Sequence, residues 1–419
     1  MKWFGCTFAA AALLAAPNAH ANFGWVFGHL SFDSEQENYC DTTQGMDCTH
    51  ARFPASMSGP EPPIRDSEVE LRVGSETVGF GSTDRNGNYN IRWETNDNTT
   101  PASITVRWIL RHKDTRFSVT NASNGVWTGD IDSFTPIAGD AVWAGEANWG
   151  FTQVNNLYDG AQRTWWEALR YSSVQLNGFN AVNIRWPDPD GAPTGIAQGS
   201  NNRILFFGDV ARIPQVRISH EMGHIAAFVA MGAIGCGAYN YPNACSSSNP
   251  FVDCTDTPAW NVESPEHYCA AFDEAIADFL GGVSYYWFGA TEPRHCPVLG
   301  LCNDVQWDLE QSLASQSTSV CTEAVRRSSR TTLKYLWDAY DSVNDANYND
   351  AVGHSYDQMH DALDAFPSGF GNGDVFEAFS SVSPFPINDE DGRSALDYSK
   401  VLPNSTLTQF QNNCIPGDD

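Results

Sequence analysis

Ile218-Ser219-His220-Glu221-Met222-Gly223-His224 (218–224) sets two imidazoles one helical turn apart, with a carboxylate beside the first. This is the HExxH pattern. In an α-helix residues i and i+4 share a face, so His220 and His224 can both turn a ring nitrogen toward one ion at about 2.0–2.1 Å. Glu221 then stands next to the open coordination position, where it can take a proton from a zinc-bound water whose pKa the metal lowers toward ~7. The plain alternative is a surface helix that carries two histidines, and the flanking sequence decides between them. Pro214 suits an early helical position, Val216, Ile225, Phe228 and Val229 supply apolar positions, and Gly232 and Gly235 end the run. Upstream, the stretches 180–188 and 203–209 alternate or cluster apolar residues as strands do. An edge strand beside the metal can bind an extended peptide by strand addition.

A catalytic zinc needs a third protein ligand. The metzincin continuation HExxHxxGxxH is excluded, because Ala227 and Ala230 stand where it requires Gly and His. Downstream, residues 264–282 begin Ser-Pro-Glu, as helices often do, and the predicted helix ends at Gly281-Gly282. Glu274 and Asp278 are four apart on this predicted helix and share a face. Like charges at that spacing destabilise an isolated helix by about 0.2–0.5 kcal/mol. The pair sits among Phe272, Ile276, Ala277, Phe279 and Leu280, which makes sense if a cation and an imidazole N–H receive the two carboxylates.

HExxH followed on a second helix by E-x-x-x-D resembles the gluzincin pattern of thermolysin-like metallopeptidases, and "DEAIAD" (273–278) is similar to their second-helix segment. The resemblance implies one Zn²⁺ per chain, held by His220, His224 and Glu274, with Glu221 as general base. It also implies that Asp278 accepts a hydrogen bond from the non-ligating nitrogen of a ligand histidine and so fixes its tautomer. Two departures stand out. The segment between His224 and Glu274 is considerably longer than in thermolysin and carries Cys236, Cys245, Cys254 and Cys269, as a disulfide-stapled insertion over the cleft would. No G-x-M-E-N segment is present, which argues against the aminopeptidase branch. Family members stabilise the oxyanion with a Tyr or His, because the developing charge needs a preorganised donor. His354 is the leading candidate, beside Tyr356, His267 and Tyr268.

The first 21 residues read as a secretory signal peptide: Lys2, an apolar run from Phe4 to Ala16, and Ala19-His20-Ala21 as a small-x-small cleavage site. A secreted, extracellular or periplasmic location follows. Of 11 cysteines, Cys6 lies within the leader. The remaining even number suits disulfides in an oxidising compartment, with Cys40 and Cys48 the nearest local pair and Cys296, Cys302, Cys321 and Cys414 open to several pairings. The net charge of −28, from 51 acidic against 23 basic residues, excludes a basic nucleic-acid-binding surface and disfavours anionic membranes. No later apolar stretch reaches the ~18 residues of a spanning helix.

The fold class expected is α+β: an antiparallel β-sandwich over 22–136, then a zincin-like domain over 137–419 with a mixed sheet, active-site helices and a helical lower lobe. The first part contains alternating segments at 67–74, 76–84, 87–95 and 103–112, with turns at Gly74-Ser75 and Asn86-Gly87. Its turn "TDRNGNYNI" (83–91) resembles the hairpin of transthyretin-like or carboxypeptidase-regulatory-like modules, in which Asp84 and Gly87 shape the loop and Tyr89 packs inward. The acidic count there is too low for a dedicated calcium loop. The second part offers an amphipathic helix over 156–173, and further helical stretches at 324–343, 354–366 and 373–382. The residues together indicate a secreted zinc metallopeptidase acting on a peptide or protein substrate. The alternatives are a zinc hydrolase of non-peptide substrates, or a binding or adhesion protein whose zinc is a structural clamp, which four protein ligands would normally close.

Overall fold

Period-two alternation in the sequence becomes strand wherever one face is buried. In the computed structural model Asn22–Phe32 forms β1, Ser67–Val73 β2, Glu76–Ser82 β3, Asn88–Thr95 β4 and Ile104–His112 β5. The residues described are 22–32, 63–96, 99–149, 152–167, 169, 181–190, 195–206, 208, 213, 215–231, 268–285, 294–295, 307–308, 333, 336–337 and 340. Every second residue of β4 (Tyr89, Ile91, Trp93, Thr95) and of β5 (Ile104, Val106, Trp108, Leu110, His112) is buried, while their neighbours face outward. The chain continues through β6 (Phe117–Thr120), β7 (Thr128–Phe134), β8 (Ala141–Trp149), α1 (Gln153–Glu167), β9 (Val182–Arg185), β10 (Ile196–Gln198), β11 (Arg203–Leu205), α2 (Gln215–Met231) and α3 (Tyr268–Tyr285). A two-residue pair, β12 (Arg294–His295) and β13 (Trp307–Asp308), closes the list of strands. The molecule is thus mixed α and β, with strand exceeding helix among the described residues. No described helix is long and apolar enough to cross a membrane.

Two sheets carry β1 to β11, and β12 and β13 pair apart from them. A three-stranded sheet runs β4-β1-β8, and an eight-stranded sheet runs β10-β11-β9-β6-β5-β2-β3 with β7 also on β5. Ile91 of β4 lies over Gly79 and Gly81 of β3, where any Cβ would meet it, so the inward rows of the two sheets share one core. The pairing is mixed. β1 pairs antiparallel with β4 but parallel with β8, and β6 pairs parallel with β9. Both sheets therefore continue past residue 137: β8 completes the three-stranded sheet, and β9 extends the larger one toward the HExxH helix. An antiparallel sandwich over 22–136 does not describe this connectivity, because parallel pairs require crossovers that bring strands distant in sequence together.

The hairpin expected around residue 86 has the anticipated geometry. Asp84 accepts backbone hydrogen bonds from Asn86 (2.8 Å) and Asn88 (2.9 Å), Gly87 N–H donates to Asp84 C=O (3.1 Å), and Tyr89 is buried. These bonds hold the Asp84 carboxyl below its ordinary range, against the opposing effect of partial burial.

The amphipathic helix α1 begins three residues earlier than 156, and packs Leu157, Tyr158, Ala161 and Trp165 inward. Tyr158 meets Trp108 of β5 edge-on with ring centroids 5.4 Å apart, and Phe117 of β6 at 5.2 Å. Its N-terminus holds the approach to α2: Asn156 Nδ2 donates to Ile213 C=O (2.6 Å) and Ile213 N–H to Gln153 Oε1 (3.1 Å). α3 runs through Gly281 and Gly282, which had been expected to stop it. Both are buried between Leu280 and Val283, and tertiary packing outweighs the roughly 1 kcal/mol cost of a helical glycine. Of the helical stretch 324–343, residues Leu333, Leu336, Trp337 and Tyr340 are described; they are buried, and Tyr340 stacks edge-on against Phe279 at 5.7 Å. The stretches 354–366 and 373–382, the signal peptide, and every cysteine except Cys269 in α3 lie outside the described residues.

His112 closes the buried row of β5, between Phe117 and Trp165 at 5.3 and 5.7 Å. Its Nδ1 accepts from Asp114 N–H (3.1 Å), and Nε2 has no hydrogen-bond partner among the described residues. Burial pushes its pKa down from 6.5 to about 4, against the raising effect of Asp66 and Asp114. Between those values the unfolded chain binds the proton that the folded chain refuses. His112 therefore costs nothing above pH 6.5 and removes stability as the pH falls toward 4, by up to about 3 kcal/mol. Denaturant unfolding at pH 7 and pH 4.5 checks this: the loss on acidification is expected to shrink in His112→Gln, and an unchanged loss would contradict it.

Candidate metal centre

His220 and His224 sit in α2, and Glu274 and Asp278 in α3. The two helices can cross closely at this level because Gly223 has no side chain. A Cβ there would lie 2.6 Å from Ala277 Cα, so the glycine inside the motif and the alanine beside Asp278 form the contact point. Ile218, Met222 and Ile225 on α2 and Ala275, Ile276 and Phe279 on α3 enter the core around it. α2 is also tied to α1 by a hydrogen bond between the buried hydroxyls of Ser219 and Thr164 (2.7 Å).

This crossing brings three donor atoms together. His220 Nε2 is 3.1 Å from His224 Nε2 and 3.3 Å from Glu274 Oε2, and His224 Nε2 is 3.7 Å from the same oxygen. Tetrahedral ligation with bonds of about 2.0–2.2 Å places donors about 3.3–3.5 Å apart. The observed edges bracket that value, so the triangle fits one face of a metal's coordination shell. His220, His224 and Glu274 are the group among the described residues that can hold a metal ion. Two imidazoles and a carboxylate suit several divalent first-row ions.

Charge and hydrogen bonding agree with the geometry. His220 Nδ1 lies 2.7 Å from Asp278 Oδ1, both side chains being buried. A carboxylate at Nδ1 keeps the proton on that nitrogen and leaves Nε2 to face the triangle. Burial disfavours the charge on His220, and Asp278 more than offsets this, so its pKa is raised. Burial would raise Glu274, yet the charges and hydrogen bonds of His224 and His220 hold it well below the usual carboxylate range. Glu274 is thus an anion aimed at two imidazole nitrogens, a point where positive charge is favoured.

Glu221 follows His220 on α2 and is 5% exposed. Its carboxylate lies against Gly195, the residue before β10. Gly195 has φ +96°, and a Cβ there would stand 2.8 Å from both Glu221 Cγ and Oε1. Conformation and space each require glycine at this position. Gly195 and Gly223 were not legible as site residues, since each acts by lacking a side chain; the signal available was a lone glycine in "TGIAQ" (194–198) and one within the motif. β10 was also missed. The stretches predicted at 180–188 and 203–209 yield β9 and β11, which pair parallel, and the edge of the sheet is instead the three-residue β10, antiparallel to β11. Its other edge pairs with no described strand. The oxyanion candidate His354 lies outside the described residues, as do His267 and Tyr356, while Tyr268 is the first residue of α3.

Asp278→Asn tests the hydrogen bond at His220. The amide can still occupy the space but presents no charge, and loss of such a partner lowers metal affinity by about 10–100-fold. Competition titration with a chromophoric chelator measures the change; unaltered affinity would remove Asp278 from the site.

No family model matches the chain, and no curated protein matches it. Among solved structures, a 9R-lipoxygenase from Cyanothece PCC8801 is matched over 55% of this chain and 25% of that one, at 13% identity and a TM-score of 0.16. The chain spans about a quarter of that protein's length. A likeness at that score carries no argument about fold or chemistry.

Proposed function

We propose that the chain is a secreted zinc-dependent peptidase of gluzincin type, in which residues 1–21 are a signal peptide, 22–136 form the bulk of a β-domain and 137–419 a zincin-like catalytic domain. The observation that carries the reading is the triangle of His220, His224 and Glu274, with Asp278 behind His220 and Glu221 adjoining it on α2. Among the described residues the group has three ligands, which leaves room for a non-protein fourth, as in catalytic rather than structural zinc sites.

Zinc held by His220, His224 and Glu274 would supply a Lewis acid for a peptide carbonyl and a water of lowered pKa. Beside it, Glu221, next to His220 on α2, would be the residue that accepts a proton and returns it to the leaving amine. Its freedom to do so is bounded by Gly195, which leaves the carboxylate room but no slack. Asp278 holds the proton on His220 Nδ1, so the ring ligates in one tautomer. The outer edge of β10 offers backbone groups to an extended substrate, and this pairing orients the scissile bond over the centre.

Cleavage of an unbiased peptide library by the purified chain, with zinc content measured in parallel, tests the proposal. One zinc per chain and cleavage abolished by a chelator are the expected results. Zinc without cleavage of any peptide would transfer the reading to a hydrolase of non-peptide substrates or to a binding protein.

A further inference from the structure

The outer face of the three-stranded sheet is built differently from the rest of the surface. Inward-facing Val26 and Leu30 of β1 are fully buried, whereas Phe23, Trp25 and Phe27 point out. They repeat at every second residue, about 6.5–7 Å apart along the strand. Trp143 of β8 stands beside Phe27 in register, with ring centroids 5.2 Å apart at 49°. These four rings are 37–50% exposed. Exposed aromatic groups in one contiguous patch mark an interaction surface more often than chance does.

The flanking side chains narrow the choice of ligand. Facing these rings across β4 are the exposed amides of Asn88 and Asn90, opposite His29 and Phe27 in register, and Arg92, opposite Trp25. Arg92 lies over the Phe23 ring at 4.8 Å and is paired with Glu94 at 2.9 Å. At the end where Phe27 meets Trp143, the face opens into a cavity of about 560 Å³ whose walls also include Asp84, Asn88, Asn90 and Lys113. Cations and carboxylates on this face offset one another, on a chain of net charge −28. A polyanion or an anionic bilayer would find no basic surface here, and a second copy would bring the same net charge to the contact.

We propose that this face binds a neutral glycan chain. A sugar ring has one face of C–H groups and a rim of hydroxyls. The polarised C–H groups match the electron-rich faces of Trp25, Phe27 and Trp143. The rim hydroxyls match the amide of Asn90 and the Oδ1 of Asn88, whose Nδ2 already donates to Asp84 at 3.3 Å, and an apolar partner would offer these groups no hydrogen bond. The site is remote in sequence from α2 and α3 and does not depend on peptidase activity.

The test uses the full chain with insoluble cellulose, chitin and starch granules as probes, and phosphatidylcholine vesicles as an apolar comparison. Retention on at least one of the three polymers, reversed by soluble oligosaccharide of the same sugar, is expected. Trp143→Ala is expected to lower retention at least 10-fold, with zinc content and far-ultraviolet circular dichroism unchanged. Trp143→Phe is expected to keep most of the binding, and Asn90→Ala, which leaves every ring in place, to weaken it. The proposal is overturned if no polymer retains the wild-type chain, if Trp143→Ala and Asn90→Ala both bind as the wild type does, or if vesicles or detergent compete where oligosaccharide does not.

Discussion

Glu221→Gln is expected to keep one zinc per chain while lowering kcat for peptide cleavage by about 10²–10⁴-fold, the range contributed by a positioned general base. The amide is nearly isosteric, so the close fit against Gly195 survives, and no donor of the His220–His224–Glu274 triangle changes. What disappears is the ability to accept a proton and pass it on. The effect should therefore fall on kcat, because a loss confined to KM would indicate uniform substrate binding instead. Elemental analysis and steady-state kinetics on the same preparation separate the two readings. Turnover near wild type with zinc bound would end the role assigned to Glu221.

Glu274→Ala should act one step earlier, on the metal itself. The carboxylate is 8% exposed and supplies the anionic corner of the triangle. Its removal leaves only the two imidazoles, whose Nε2 atoms face each other at 3.1 Å. Loss of a direct ligand should exceed the 10–100-fold cost of losing an outer partner such as Asp278, so affinity falls by more than about 100-fold. Zinc content after dialysis is expected to drop from one per chain to a small fraction, with activity lost in proportion. Thermal unfolding adds a second readout: zinc raises the Tm of the wild type by mass action and does so far less in the variant. Equal zinc content in both proteins would mean that another group completes the site.

The motif residues were legible because a helix imposes its own geometry. The spacing of His220 and His224, and of Glu274 and Asp278, places each pair on one face before any tertiary contact exists. Strands β2 to β5 were legible for the same reason, since alternation of period two is a local property. β1, β8 and β10 were not. β1 turns Phe23, Trp25 and Phe27 outward opposite buried Val26 and Leu30, and β8 turns Trp143 outward between Val142 and Ala144, so both faces are apolar and the alternation is blurred, while β10 is three residues long. The glycines at 281–282 misled for a related reason, because a local stop signal yields when both flanks are packed.

Sequence alone determined the chemistry on offer: two imidazoles, a base beside them, and a carboxylate pair on a second helix. It could not determine that the two helices meet, because that depends on Gly223 and Ala277, residues whose contribution is the absence of bulk at a contact between distant segments. Nor could it show that β8 returns to β1 or that β9 joins β6, since parallel pairing is set by long crossovers and carries no local signature. The tertiary structure decided that His220, His224 and Glu274 converge within 3.1–3.7 Å of one another, and that four aromatic rings of the other sheet face outward. Spacing along a chain fixes which face a residue occupies, and only the packing of those faces decides what it meets.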